Sequence, residues 1–211
     1  TKKDLRTIMK IHIQRTIKTY FLITENITRE TFWNLYKPGC NEHLILHQLR
    51  ESSSYIEELD LVAMYEGEIV GHVISTKARV VDKQSNEYEV LCVGPFSVSP
   101  SFQNKGIGKK LLNYSISEAK RMGFRGMILF GNPDYYHRFG FLNAKKYEIT
   151  TKDNQNFEPF MALELQENGL ANIKGRFFED EAFTIKEEEL NKYEKKFPAK
   201  EKGKPKFDIN L

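Results

Sequence analysis

Cysteine is scarce: the 211 residues hold two, Cys40 and Cys92, far apart and in no Cys-x-x-Cys pair. That argues against a disulfide scaffold or a zinc knuckle, and the expected compartment is a reducing cytoplasm. Long apolar runs are lacking as well. None approaches the roughly 18 residues a membrane helix needs, so no membrane partner is expected. The basic start, "TKKDLRTIMK", has neither an apolar stretch nor a cleavage site and does not read as a signal peptide. Charge is nearly balanced, with a net charge of +3, so nothing demands nucleic acid. There is no internal repeat, and no acidic cluster at metal-binding spacing, so no metal is expected.

What is present is a chain that folds. Apolar residues make up 40% and aromatics 12%, enough for one domain with its own core. "IHIQRT" (11–16) alternates and reads as a strand. Residues 28–36 have helical spacing until Pro38-Gly39, and 41–51 form a second helix. "ELDLVAMY" and "EIVGHVIST", joined at Glu66-Gly67, read as a hairpin. "YEVLCVGPFSV" (88–98) is a strand interrupted at Gly94-Pro95. Proline cannot donate to a ladder, so a bulge or a splay is expected there. Ile107, Leu111, Leu112, Ile116 and Ala119 share one side of a strong helix that Gly123 ends. "GMILF" is a buried strand, "PDYYHRF" a short helix, and "KYEITT" and "FMALEL" are strands. Thr184-x-x-Glu187 reads as a capping box opening a helix, and "PAKEKGKPK" as a solvated tail. The order gives an α/β layer around one central mixed sheet.

"SFQNKGIGKKLL" (101–112) carries the chemistry. Helix starts leave about four N–H groups unpaired, and with the helix dipole these attract phosphate. Gly106 and Gly108 leave that backbone bare, while Lys105, Lys109 and Lys110 add charge. A P-loop does not fit, since Lys109 precedes Lys110 instead of Ser or Thr. A dinucleotide fingerprint does not fit either, since position 111 is Leu.

The flanking residues add more. "PFSVSPSFQNKGIGKKLLNYSISEAKRMGFRGMILFGNPDYYHRFGF" resembles the GNAT N-acyltransferase superfamily. Gln103 to Gly108 match its Gln-x-x-Gly-x-Gly pyrophosphate loop, and Tyr136-x-x-x-Gly140-Phe141 its later short helix. "GHV", "VGPFSV", "YYHRFGF" and "FMALEL" look most like the bacterial YhbS-like subgroup. The resemblance implies an N-acyltransferase domain at 10–165 and a C-terminal extension at 166–211 that covers an edge strand or makes a homodimer contact. It implies acetyl-CoA as co-substrate and a small-molecule or peptide amine as acceptor, joined by direct attack in a ternary complex.

By the same resemblance, acyl-CoA lies between the strand ending near Val98 and "GMILF". The amides of Phe96 and Val98, with Ser97 between them, hold pantetheine and the thioester carbonyl. Those of Asn104, Lys105, Gly106, Ile107, Gly108 and Lys109 hold the pyrophosphate behind Gln103, and Asn132 touches the cofactor. Tyr136 matches the general-acid position and lies against the cofactor. Glu89, reached through water, is the expected base; His72, beside it, lines the same cleft. Trp33, Tyr36, Glu42 and His43 are expected at the acceptor, and Cys92 in the core. A non-catalytic acyl-CoA-binding module and a nucleotide-binding protein using the same loop are the competing readings.

Overall fold

The computed structural model describes residues 9–207; most of the basic start therefore lies outside the described residues. Four strands form an antiparallel run: β1 (His12–Arg15), β2 (Asp60–Tyr65), β3 (Glu68–Val81) and β4 (Glu87–Val98). Glu66 and Gly67 turn the β2–β3 hairpin with φ of 48° and 83°, the double left-handed geometry a two-residue hairpin requires. The helix α3 (Ile107–Arg121) then carries the chain back, so that β5 (Gly126–Phe130) lies parallel to β4. Two antiparallel strands close that side, β6 (Leu142–Asn143) pairing with β8 (Phe160–Glu164), which pairs with β5.

Helices cover both faces. α3 buries Ile107, Leu111, Leu112, Ile116 and Ala119, the five residues its spacing selected. It lies so close to β3 that a Cβ on Gly71 would stand 2.9 Å from Leu111. On the opposite face α1 (Phe21–Phe32) and α2 (Glu42–Glu51) pack together, with Leu46 and Leu49 against Ile74 of β3. Because both faces are covered, β3 is buried continuously from Val70 to Thr76 and shows no alternation there.

Three elements differ from expectation. α1 begins well before residue 28. Its inward face carries Thr24, Glu25, Thr28 and Arg29, all buried, so it lacks the apolar stripe that marks a helix. The hydroxyls of Thr24 and Thr28 bond back to Phe21 and Thr24 carbonyls at 2.8 Å, which makes their burial tolerable. The expected extension is woven into the sheet. β9 (Gly175–Phe178) pairs antiparallel with the half of β3 that β2 leaves free, and parallel with β7 (Ile149–Thr151). The last helix, α5 (Glu187–Glu194), starts with Lys186 as its cap residue, and the Thr184–Glu187 box does not form.

The tail expected in solvent is docked. Backbone amides of Gly203, Lys206 and Phe207 bond to the Asn34 side chain, the Asn34 carbonyl and the Leu35 carbonyl, at 3.1, 2.9 and 2.9 Å. Trp33 Nε1 donates to the Glu201 carbonyl at 2.8 Å. α5 is fixed by Glu194, which accepts from the Arg29 guanidinium at 2.9 Å and from His43 Nε2.

Candidate active site

β4 and β5 pair only at Leu91–Met127 and Cys92–Ile128. Beyond that point they diverge, and the β4 edge facing β5 has no strand partner. The cause is on β4 itself. Against β3 its register shifts: Val73 pairs with Phe96 but Ser75 with Val93, so Gly94 and Pro95 bulge opposite Ile74. The distortion the sequence places at Gly94-Pro95 is therefore the point where the sheet opens. A Cβ on Gly94 would meet Ile74 at 3.0 Å and Leu49 at 3.1 Å, so the bulge also needs a residue without a side chain.

The opening is a cleft of about 470 Å³. Its walls are Val93 to Phe96 of the bulge, Phe130, Gly131 and Asn132 after β5, and Tyr135 and Tyr136 of α4 (Pro133–Tyr136). Thr31, Phe32, Leu35 and Tyr36, then Glu42 and Ile45 of α2, roof it. The α3 start lies beside it. Gly106, with φ of 79°, is the cap residue, and no side chain caps this helix. A Cβ there would meet nothing within 4 Å, so the turn opens on free space. Gly108 sits differently: its Cβ position is 3.0 Å from the Tyr135 hydroxyl and 3.2 Å from Phe96, which ties the helix start to the cleft wall. Asn104 and Lys105 are exposed on the same turn, Asn104 with φ of 61°. These features fit a diphosphate: open amides, a dipole end and lysines, with no side chain in the way.

Tyr136 stands on the cleft wall, its ring edge-on to Tyr135 at 5.0 Å and to Phe141 at 5.8 Å. Burial pushes its phenol well above the ordinary range, so it stays protonated. Phe96 lines the cleft, and Asn132 caps α4 by accepting from the Asp134 amide at 3.0 Å. Three further expected cofactor residues have side chains committed elsewhere. Ser97 is buried and lies 3.3 Å from the Thr28 hydroxyl under α1, and Ile107 is in the core. Gln103 bonds back to the Val98 carbonyl at 3.0 Å.

His72 is a correction. It is 0% exposed on β3, and its Nε2 donates to Asp60 at 2.6 Å inside a network with Arg50. Burial holds it neutral, and nothing in the cleft reaches it. The Asp60 carboxyl is opposed by burial, yet the His72 and Arg50 hydrogen bonds bring it down to about 2. His43 is likewise sealed, between Tyr193 and Phe197, bonded to Glu194. Trp33 lies under the docked tail, with Arg29 on its ring at 4.5 Å. Tyr36 and Glu42 do line the cleft, and Cys92 is buried at its floor. Glu89 stands outside it. Its exposed side chain faces Lys77 at 3.9 Å, before the point where the strands part.

Sequence reasoning missed Glu179 and Phe183, which follow β9 and complete the cleft lining. Glu179 opens onto the cleft, while the protein packed around it pushes its carboxyl up against a weaker pull from Lys152. No local motif marks it; it arrives only because β9 pairs with β3.

A mixed sheet split between two parallel strands, with an uncapped helix start at the split, is the architecture of the N-acyltransferases. The profile of the acetyltransferase (GNAT) family matches residues 25–141, more than half of the chain, and the chain belongs to that family. The uncharacterized N-acetyltransferase YjhQ of Escherichia coli K12 is 31% identical over 97 residues, 46% of this chain. That match spans 53% of YjhQ, about half the length of that relative. The uncharacterized N-acetyltransferase YhbS of the same strain is 24% identical over 135 residues, 64% of this chain and 78% of YhbS. The E. coli YhbS structure in complex with CoA superposes with a TM-score of 0.74 at 21% identity, covering 83% of this chain and 92% of that one. A GNAT acetyltransferase from Brucella melitensis in complex with acetyl-CoA gives 0.68 at 24%, covering 83% and 99%. These likenesses establish the fold. No helix among the described residues is long and apolar enough to cross a membrane.

Proposed function

We propose that this chain transfers the acetyl group of acetyl-CoA to an amine that attacks directly in a ternary complex. The observation that carries the reading is the bulge at Gly94-Pro95, which frees the β4 edge opposite Tyr136. In this reading the α3 start holds the diphosphate through the amides from Asn104 to Lys109. The free β4 amides, Phe96 and Val98, orient the thioester and stabilise the negative charge that grows on its oxygen.

An alkyl amine arrives protonated, since its pKa is near ~10. Glu179 is the base in this reading, in place of the outlying Glu89: its carboxylate takes the ammonium proton. Its raised pKa makes it a better acceptor than an ordinary carboxylate. The nitrogen lone pair then forms the C–N bond and the C–S bond breaks. The electron pair leaves on sulfur and takes the Tyr136 phenol proton, and the second proton of the nitrogen passes back to the phenolate, which leaves a neutral amide, free CoA thiol and Tyr136 protonated as before. CoA-like thiols have a pKa near ~8.5, so this acid assists a leaving group that is already fair.

The test is thiol release from acetyl-CoA over a panel of amines, with calorimetry for CoA affinity. Turnover that Tyr136→Phe slows, at unchanged CoA affinity, is expected. Tight CoA binding with no turnover over a wide panel would make the chain a binding module instead.

A further inference from the structure

The reaction cleft does not end at Glu179. Phe130 and Glu179 are shared with a second cavity of about 910 Å³. The two spaces adjoin at these two side chains, and the split strands line the smaller one. Volumes of this size suit a small molecule.

The junction carries an aromatic ledge. Phe130, the last residue of β5, is 45% exposed, although it lies nearly parallel to Phe160 at 5.0 Å and to Phe157 at 5.9 Å. Phe177 adds a fourth ring at 6.3 Å. Phe130 thus offers open ring surface where the two cavities adjoin. The rim is acidic, with Asp153, Glu179, Asp180 and Glu181 against Arg79 and Lys152. Arg79 is already engaged, by Glu87 at 3.2 Å and by the Phe178 ring at 5.1 Å. The Glu179 carboxylate makes no hydrogen bond or ion pair among the described residues, and Lys152 attracts it only from a distance.

We propose that the acceptor is a cationic small molecule whose primary amine sits on a short alkyl arm attached to an aromatic ring, the ring lying on the Phe130 ledge and the ammonium passing Glu179. The assignment rests on the acetyltransferase reading above. Ring-on-ring contact and the attraction of a cation to an aromatic face both act at Phe130. The acidic rim draws the cation inward and disfavours amino acids with a net negative charge.

The experiment compares phenethylamine and tryptamine with butylamine and with aspartate, by thiol release at saturating acetyl-CoA. Phe130→Leu, which keeps apolar packing but removes the ring, is run beside Phe130→Ala, and CoA calorimetry reports whether each variant still folds. Expected is a kcat/KM at least about tenfold higher for the ring-bearing amines, a preference that Phe130→Leu cuts to about threefold or less. Butylamine turned over as well as phenethylamine, or a ring preference unchanged in both variants, overturns the proposal and leaves acetyl transfer standing. Thiol release from no amine also overturns it. Calorimetry then separates the two failures: CoA affinity retained means the acceptor class is wrong, and CoA affinity absent means the acetyltransferase reading falls with it.

Discussion

Gly131→Ala tests whether Tyr136 acts through its position. Gly131 is the residue between β5 and Asn132, and its φ lies outside the left-handed region, so its backbone accepts alanine. Space is what forbids the methyl: its carbon would stand 2.3 Å from Tyr136 Cε2 and 2.8 Å from Cδ2. Carbons touch at about 3.5–4.0 Å, so the ring has to retreat by more than ~1 Å. It has little room, being wedged edge-on between Tyr135 and Phe141. Overpacking of this kind costs ~1–3 kcal/mol, which the fold tolerates. A reacting group displaced by about 1 Å loses ~100-fold in rate. The expected result is therefore kcat down about 100-fold with CoA affinity within a few-fold of wild type. Tyr136→Phe should cost a similar factor, the low end of general-acid catalysis, because the thiol is a fair leaving group. The two changes act on one group, so they should not multiply. In the Tyr136→Phe background Gly131→Ala should slow thiol release less than about threefold. If it slows that variant as much as it slows wild type, the methyl is not acting through Tyr136 and the acid assignment fails.

Gly106→Val places a β-branched residue at φ 79° on the open turn, and calorimetry should show CoA binding lost while the melting transition persists. Unchanged affinity would remove the α3 start from the cofactor site. Acidification should destabilise the protein. Burial holds His43 and His72 below 6.5, so the unfolded chain takes up protons first and stability falls as pH drops through that value. Glu194, opposed by burial but held down by Arg29 and His43, and Asp60 add losses at lower pH. His47, raised by its bond to Glu25, works the other way, which leaves two histidines against one. Urea midpoints at pH 7.5, 6.5 and 5.5 should decline, and a flat or rising series would refute the buried neutral histidines. Glu194→Gln should lower the midpoint at pH 7.5 by the equivalent of about 3 kcal/mol, because it leaves the buried Arg29 with only the exposed Glu30 carboxylate, at 4.0 Å, as counter-charge.

Local signals in the sequence are legible where one element decides its own conformation. The α3 stripe, the Glu66-Gly67 turn and the Gly94-Pro95 distortion each follow from neighbours a few residues apart. α1 was half hidden because its inward residues satisfy hydrogen bonds instead of burying apolar surface. β9 was hidden because its partner strand is far away in sequence. The site divides the same way. The loop and Tyr136 are local motifs, whereas choosing a carboxylate needed the position of the split. Alternation along β4 gave Glu89 a face but not a place along the cleft, and the strands part only after Cys92.

The family match ends at residue 141, yet Phe157, Phe177, Glu179 and Phe183, which line the proposed acceptor side, all lie beyond it. Holding a diphosphate and a thioester requires amides at fixed positions, which in the proposed reading one loop and one bulge supply. An acceptor wall requires only side chains, and any segment that pairs with the free half of β3 can bring them. Register is then decisive, because a slip of one residue would turn Phe177 outward and move Glu179 from the cleft. The register is pinned at Val80–Phe177 and Val81–Arg176, and at Gly175 just before them. Gly175 has φ of 145°, and a Cβ there would stand 2.0 Å from the Val81 carbonyl oxygen. Gly175→Ala should therefore displace the start of β9. CoA affinity should hold, since the α3 start and the bulge do not touch this strand, while kcat/KM for any productive amine falls at least about tenfold through Glu179. Turnover equal to wild type would mean that β9 does not build the acceptor wall.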